Sequence, residues 1–219
     1  MESPVRVSVF AAAALAGLIA PLAGASAQEM EKSFEFRDFN RIAVAGVYHL
    51  EVDVGGDYSV KLTGPAHEME RVETYLKGST LKLDLRDRRF GEKRGKHEGI
   101  EARVTLPSLV GLHMSGVVDG EVRGVNSDTF EVAISGVGEM RIAGECNQLK
   151  AEVSGVGGLD SKGLKCRDVK VIVSGVGEAT VYAIDAVDAI VSGMGDITVH
   201  GSPKHVKKSG GMFADISIR

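Results

Sequence analysis

Two cysteines are the residues whose spacing most directly suggests a covalent bond. Cys146 and Cys166 are the only cysteines in the 219 residues, and they lie 20 positions apart. If the chain returns to the same place every 20 residues, they lie on neighbouring strands about 4.8 Å apart, within reach of a disulfide. Two free buried thiols are the alternative. The spacing is not a zinc motif, because no second Cys or His pair accompanies it.

A series of acidic residues is the second group that could do chemistry. They stand four residues after successive Ser-Gly pairs, with Gly158 at the third place: Asp119, Glu139, Glu178 and Asp196. Carboxylates stacked about 5 Å apart repel one another, and a hard cation such as calcium relieves that repulsion. These four residues are therefore candidate calcium ligands. The alternative is that they face solvent near basic residues such as Arg141, since the nine-residue repeat of calcium-binding β-rolls is missing.

The sequence carries no recognisable catalytic motif. No G-x-S-x-G elbow occurs, and the G-x-G pairs lack the third glycine and the helix of a dinucleotide-binding fingerprint. Six histidines are scattered along the chain without the Ser and carboxylate partners of a triad: His49, His67, His97, His113, His200 and His205. We therefore predict no catalytic residue, no cofactor and no enzymatic activity.

A recurring Ser-Gly pair indicates the elements that hold these residues. The pairs begin at intervals of 17 to 20 residues: Ser115, Ser135, Ser154, Ser174, Ser192 and Ser209. This period is too long for a hairpin and too short for a helical repeat, and it is typical of one coil of a β-solenoid. We predict a right-handed parallel β-helix or similar stack over residues 107–219, with coils of about 17–20 residues.

Apolar residues recur at fixed distances from each Ser-Gly pair. They stand one and three residues before the serine and five and seven after it, which predicts two half-buried strands around every corner. In the last repeat the positions after Ser209 are Ala214 and Ile216. The glycine is expected to turn the chain and the serine hydroxyl to hydrogen-bond across coils. Lysines at 204, 207 and 208 indicate a polar terminal coil.

Residues 28–106 are predicted to form an N-terminal β region with one short helix. Alternating apolar residues suggest strands, and residues 67–77 (HEMERVETYLK) have the spacing of a helix. Residues 86–99 (RDRRFGEKRGKHEG) are highly charged and predict an exposed loop. Together with the repeats, residues 28–219 are expected to form one continuous domain.

The first 27 residues have the features of a secretory signal peptide. Arg6 gives a basic start, residues 7–20 are almost wholly apolar, and Ala25-Ser26-Ala27 is a small-x-small cleavage site. After cleavage no remaining stretch is apolar enough to span a bilayer. The chain is mildly acidic, with a formal charge of −4, and it lacks Trp. These properties argue against nucleic-acid binding and against stacking platforms for sugars or bases.

Several sequence runs resemble a known bacterial family. They are FNRIAV at residues 39–44, VTLPSLVGLHMSG at 104–116, the SGVG corners, and ITVHGSPKHVKKSGGMF at 197–213. These runs are similar to the head GIN domain, a family named as a putative auto-transporter adhesin domain. Family corners are often Ser-Gly-Ser-Gly, whereas here the third residue is Val or Met. The resemblance implies an exported, all-β, β-helix-like protein of surface or periplasmic type.

Export, a regular stack and the lack of a catalytic grouping lead to one functional expectation. We expect a non-enzymatic binding or adhesion module of the bacterial cell envelope, located in the periplasm, on the outer surface or outside the cell. Its expected partner is an envelope glycan or a surface protein. Two alternatives stay open: a polysaccharide-active enzyme with a cleft lined by Asp119, Glu139, Arg141 and Lys162, and a structural protein that self-associates through its coil ends.

Overall fold

The computed structural model describes residues 29–87 and 99–219. The predicted signal peptide and most of the predicted charged loop, residues 88–98, lie outside the described residues. The described chain forms thirteen strands and one short helix. In chain order these are β1 (Glu29–Phe34), β2 (Arg41–Val54), β3 (Ser59–Pro65), α1 (Ala66–Met69), β4 (Val72–Lys77), β5 (Thr80–Leu85), β6 (Ile100–Leu106), β7 (Gly111–Ile134), β8 (Val137–Val153), β9 (Val156–Val173), β10 (Val176–Val191), β11 (Met194–His200), β12 (His205–Gly210) and β13 (Ala214–Ile218).

The strands form a β-solenoid of about five turns, which confirms the predicted all-β stack. Parallel pairing runs in the order β2, β7, β8, β9, β10, β11 and β13, and β12 pairs with β10. Strands β7 to β10 each have 16 to 24 residues, so each follows most of a coil before the next corner. No helix among the described residues is long and apolar enough to cross a membrane.

The stack begins before the first Ser-Gly pair. In β2, Ala45 lies opposite Ser115 and Gly46 lies opposite Gly116, so Ala-Gly forms a corner in register with the Ser-Gly corners. Strands β5 and β6 pair with the two halves of β2 on its other side. Strand β5 pairs with β2 up to Val44 and β6 pairs with it from Tyr48 onward, so they lie on the two sides of the Ala45-Gly46 corner.

The last repeat is out of register with the prediction. Ser209 lies opposite Ile190, not Ser192, and the amide of Gly211 donates to the Val191 carbonyl. The corner of this coil begins instead at Gly211, two residues after Ser209, and includes the turn at 212–213 between β12 and β13. As a result Ile216 stacks on Ile197, whereas the sequence repeat predicted Ala214 at that place. The sixth Ser-Gly pair is thus not a corner equivalent to the other five.

The predicted helix over residues 67–77 is wrong in length. Only Ala66–Met69 is helical, and Val72–Lys77 is strand β4, paired antiparallel with β5. The spacing of Met69, Val72 and Leu76 fits a helix, but Val72, Thr74 and Tyr75 are residue types that favour strands. The turn at Gly78, with φ of 60°, joins β4 to β5 and completes a hairpin.

Apolar side chains of successive coils stack in the interior. One column stands directly before the corners and is at most 2% exposed in every member: Val44, Met114, Ile134, Val153, Val173 and Val191. Each fully buried aliphatic side chain contributes roughly 1.5–3 kcal/mol. A single coil has no partner surface against which to bury this column, so the stability of each coil depends on its neighbours.

Two of the corner serines, Ser135 and Ser154, each bond to the preceding coil twice. The amide of Ser135 lies 2.9 Å from the Met114 carbonyl oxygen, and its hydroxyl donates to the same oxygen at 3.1 Å. Ser154 makes the same pair of contacts to the Ile134 carbonyl, at 2.8 and 3.3 Å. The expected cross-coil hydrogen bonds of the serines therefore exist, and their acceptor is the backbone of the coil below.

The corner glycine is required by space more than by backbone conformation. A Cβ on Gly136, Gly155, Gly175 or Gly193 would lie within 3.0 Å of the carbonyl oxygen of the corner glycine in the preceding coil, a contact that real Cβ atoms essentially never make. Among the five corner glycines, Gly116 alone has a φ in the left-handed region, at 111°. The predicted turning role thus holds for Gly116, while close backbone approach explains the others.

Cys146 and Cys166 form a disulfide in the structure. They lie directly opposite each other on β8 and β9, with Cα atoms 4.5 Å apart, and both are buried. The bond joins two adjacent coils in the middle of the stack. It closes a loop of 20 residues, which restricts the unfolded chain.

The corner geometry predicts a large effect for Gly155→Ala. The new methyl group would push apart two coils, and we expect the free energy of unfolding to fall by at least about 2 kcal/mol, as for overpacking in a core. Gly158→Ala is the matched control, because its Cβ would make ordinary contacts of 3.5 and 3.6 Å with Glu178 and Glu139. Denaturant unfolding measures both, and equal stability of Gly155→Ala and the unmodified protein would contradict the account.

The disulfide predicts a second stability effect. Replacing both cysteines by alanine should lower the free energy of unfolding by about 3 kcal/mol for a loop of this size. Intact mass measured after alkylation in denaturant without reductant should show no modified cysteine. Two alkylated thiols would show that the bond does not form.

Candidate functional site

The outward side of the corners carries two parallel rows of side chains, which together we call the corner face. The first, the apolar row, consists of the third residue of each corner: Val117, Val137, Val156, Val176 and Met194. The second, the acidic row, lies two residues further on: Asp119, Glu139, Glu178 and Asp196. The strand register places each member directly beside the equivalent residue of the next coil. The corner face therefore runs along the axis of the stack.

The apolar row is unusually exposed for such side chains. Its five members are 46% to 56% exposed, whereas the interior column one residue before the corner is at most 2% exposed. The corner turns this position away from the core, so about half of each side chain stays exposed to solvent. A contiguous row of exposed aliphatic groups is the kind of surface that marks an interaction site.

The floor between the two rows is backbone. Gly138, Gly157, Gly177 and Gly195 occupy it, and a Cβ on any of them would clash with a carbonyl oxygen of the preceding coil. Because this floor has no side chains, an open groove of about 640 Å³ lies between the apolar and acidic rows. The groove can receive a chain that lies along the stack.

Two members of the acidic row, Asp119 and Glu139, make hydrogen bonds. Asp119 accepts a hydrogen bond from the backbone amide of Glu139 at 2.8 Å, and Glu139 pairs with Arg141 at 2.8 Å. The side chains of Glu139 and Glu178 lean over Gly158, where a Cβ would lie 3.6 and 3.5 Å from their Cγ atoms. The missing side chain at 158 thus leaves room between two carboxylates.

The carboxylates are brought into line, but they do not surround one point. Within residues 29–87 and 99–219, no group of three or more His, Cys, Asp or Glu side chains is arranged to hold a metal ion. Calcium binding by the acidic row stays a prediction from the sequence.

The residues of the alternative enzyme site are only partly brought together. Asp119 and Glu139 line the open groove of the corner face, but Arg141 and Lys162 do not line it. The described histidines lie on β2, α1, β7, β11 and β12, and His97 is outside the described residues. The corner face offers charged and apolar contacts along a surface.

A second face, formed by the strands before the corners, carries charges that pair with one another. The side chain of Arg41 lies across Gly111, and its Nη1 atom is 2.9 Å from Oε2 of Glu131. Nζ of Lys150 lies 3.4 Å from Oε1 of the same carboxylate. The hydrogen bond from Arg41 holds the pKa of the Glu131 carboxyl below its usual range. A Cβ on Gly111 would lie 2.6 Å from Nη1 of Arg41, so the glycine makes this crossing possible. These charges bind each other across the coils.

The sequence alone did not predict that the apolar row is exposed. Its signal was present, because valine recurs two residues after four of the five corner serines and methionine after the fifth, outside both buried columns. The exposure could not be predicted, since it depends on how the close approach of the glycines turns the corner outward.

Several solved structures share the fold. A putative adhesin from Bacteroides fragilis has a TM-score of 0.71 and 22% identity, covering 89% of this chain and 98% of its own. A putative adhesin from Parabacteroides merdae has a TM-score of 0.53 and 14% identity, with 88% and 96% covered. A putative lipid binding protein from Parabacteroides distasonis has a TM-score of 0.54 and 16% identity, with 87% and 96% covered. At these identities the likeness shows the fold alone.

The sequence itself also matches a known family. No curated protein is similar enough to count as a match. The family described as "Putative auto-transporter adhesin, head GIN domain" matches residues 38–203, well over half of the chain and all five Ser-Gly corners of the stack. The chain therefore belongs to the head GIN domain family of putative auto-transporter adhesins.

Proposed function

We propose that this protein is an exported, non-enzymatic adhesion module that holds a protein partner on its corner face. The observation that carries the proposal is the apolar row, five half-exposed side chains aligned along the stack. Exposed aliphatic surface has a free-energy cost in water that a partner removes on binding. Membership of an adhesin family supports the same conclusion.

Three features support export. The first 27 residues have the pattern of a signal peptide, and the family is named for adhesins, which act at cell surfaces. The disulfide between Cys146 and Cys166 is stable in an oxidising compartment. The envelope or the cell exterior is thus the place where this protein acts.

The chemistry of the corner face favours a protein partner over a glycan. The face presents aliphatic groups and carboxylates, and aromatic rings, on which sugars stack, are not among the residues that line the groove. The acidic row is complementary to Lys and Arg side chains. A partner segment with alternating apolar and basic residues would place one set on the apolar row and the other on the acidic row. The five members of the apolar row are separated by four coil spacings of about 4.8 Å, so such an extended segment would run along about 19 Å of the stack.

The same face supports a binding role without catalysis. Its groove is open to solvent, and enzymes that stabilise charged transition states hold their charged groups in water-excluded sites. The partner's specificity would come from the third corner residue, which is Val or Met here and often Ser in the family. This position varies without disturbing the stack because it points away from the core.

Binding of a defined peptide tests the proposal. A synthetic peptide that alternates Lys and Val should bind the full chain, and a matched peptide that alternates Glu and Val should bind at least 10-fold more weakly. Isolated envelope proteins, envelope glycans and whole cells serve as natural probes in the same assay. Binding to glycans and to none of the protein probes would overturn the proposed partner class.

A pair of variants locates the binding surface. Val156→Ser with Val176→Ser removes the middle of the apolar row, and we expect at least a 10-fold loss of binding to the Lys-Val peptide and to cells. Ile184→Ser is the matched control, since Ile184 is 45% exposed away from the corner face. Both variants should unfold at the same denaturant concentration as the unmodified protein. Retained binding by the double variant would show that the corner face is not the site.

A further inference from the structure

A second exposed apolar region lies at the C-terminal end of the stack, and we call it the end patch. Met212 is 92% exposed, Phe213 is 71% exposed and Val206 is 45% exposed. Met212 and Phe213 form the turn between β12 and β13 and stand at the corner of the last coil. Phe213 precedes Ala214, which lies opposite Gly195, so the end patch adjoins Met194 at the C-terminal end of the corner face.

Basic side chains accompany these apolar groups. Residues 201–219 contain Lys204, Lys207, Lys208 and Arg219 against a single acid, Asp215, in a chain whose formal charge is −4. Lys207 lies 3.8 Å from Asp188, an exposed ion pair that adds little affinity between its partners. The end of the stack is thus a positive region on an acidic protein.

The position of Lys208 argues against a second copy of the chain as the occupant. Lys208 stands opposite Ala189, in a column that is apolar in the coils before it, and its Nζ donates to the Ile216 carbonyl at 2.9 Å. A lysine at the end of a core column places a charge where another coil would have to pack. Two such ends facing each other would bring like charges together.

We propose that the end patch docks the protein onto an anionic lipid bilayer. Exposed Met and Phe side chains can enter the boundary between headgroups and acyl chains, while the lysines beside them contact anionic headgroups. One apolar turn and a few lysines give reversible attachment, which weakens as salt rises. The apolar row continues from Met194 along the stack, away from the end patch, so its earlier members stay open to a partner while the end patch is on the membrane.

A single tryptophan reports the docking directly. The chain contains no Trp, so Phe213→Trp introduces the only indole fluorophore at the end patch. Vesicles of equal parts phosphatidylglycerol and phosphatidylcholine should shift its emission to shorter wavelength, and vesicles of pure phosphatidylcholine should bind at least 10-fold more weakly. Val156→Trp, on the corner face, is the matched control and should show no shift with either vesicle.

A second set of variants separates charge from apolar contact. Lys204→Gln with Lys207→Gln should reduce co-sedimentation with the anionic vesicles at least 10-fold, and Met212→Ser with Phe213→Ser should do the same. Ile184→Ser should sediment as the unmodified protein does. No co-sedimentation of the unmodified protein, or an equal emission shift for Val156→Trp, would overturn the proposal. So would a concentration-dependent dimer in analytical ultracentrifugation that Met212→Ser with Phe213→Ser abolishes, because a second copy would then cover the patch.

Discussion

The whole stack depends on the close approach of backbone at the corners. Each corner glycine lies against the carbonyl oxygen of the glycine in the coil below, at a distance that no side chain permits. From Ser135 to Ser192, the amide of the serine before it donates to the same coil, and at Ser135 and Ser154 the hydroxyl donates as well. These contacts fix the vertical spacing and the register together, so the apolar columns of the interior stack without a gap.

The same constraint determines which side chains at a corner face outward. At a corner, the serine hydrogen-bonds to a backbone carbonyl and the glycines pack closely against the preceding coil. The residues on either side point into the core. Among the apolar side chains of a corner, the third residue is the one left outside, and in this chain it is Val or Met in all five Ser-Gly corners. The apolar row is thus a consequence of the way the coils stack. At the C-terminal end of the stack, Met212, Phe213 and the lysines of the last coil give a different surface.

Most of the stack could be predicted from the sequence because each coil repeats the same local rules. Period, apolar columns and the opposition of Cys146 and Cys166 all follow from counting residues from each serine. The errors have physical causes. Ala45-Gly46 is aligned with the Ser-Gly corners although alanine stands in the place of serine, so a search for serine misses it. The sixth Ser-Gly pair is displaced because the pairing of β12 with β10 brings Gly211, not Ser209, to the place of the corner serine. Residues 72–77 pair with β5, and that pairing overrides a helical spacing.

The surfaces were less predictable than the core. The acidic row was visible as a series of matched positions, but its hydrogen bonds to the next coil and to Arg141 depend on side-chain geometry. The apolar row and the end patch are defined by exposure, which depends on how the corners and the last turn project from the stack. A sequence pattern shows that residues repeat, and the fold decides which of them face outward.

Residue-resolved amide hydrogen exchange tests the central claim most directly, because turns on a protein surface ordinarily exchange fast. Here the corner amides of Ser154 and Ser174 donate to the preceding coil at 2.8 and 2.9 Å, and those of Val176 and Met194 do so at 3.1 Å. The account predicts that these four amides are protected as strongly as those of the strands beside them. Exchange of the corner amides at the rate of an unstructured peptide, with protected strands on either side, would contradict it.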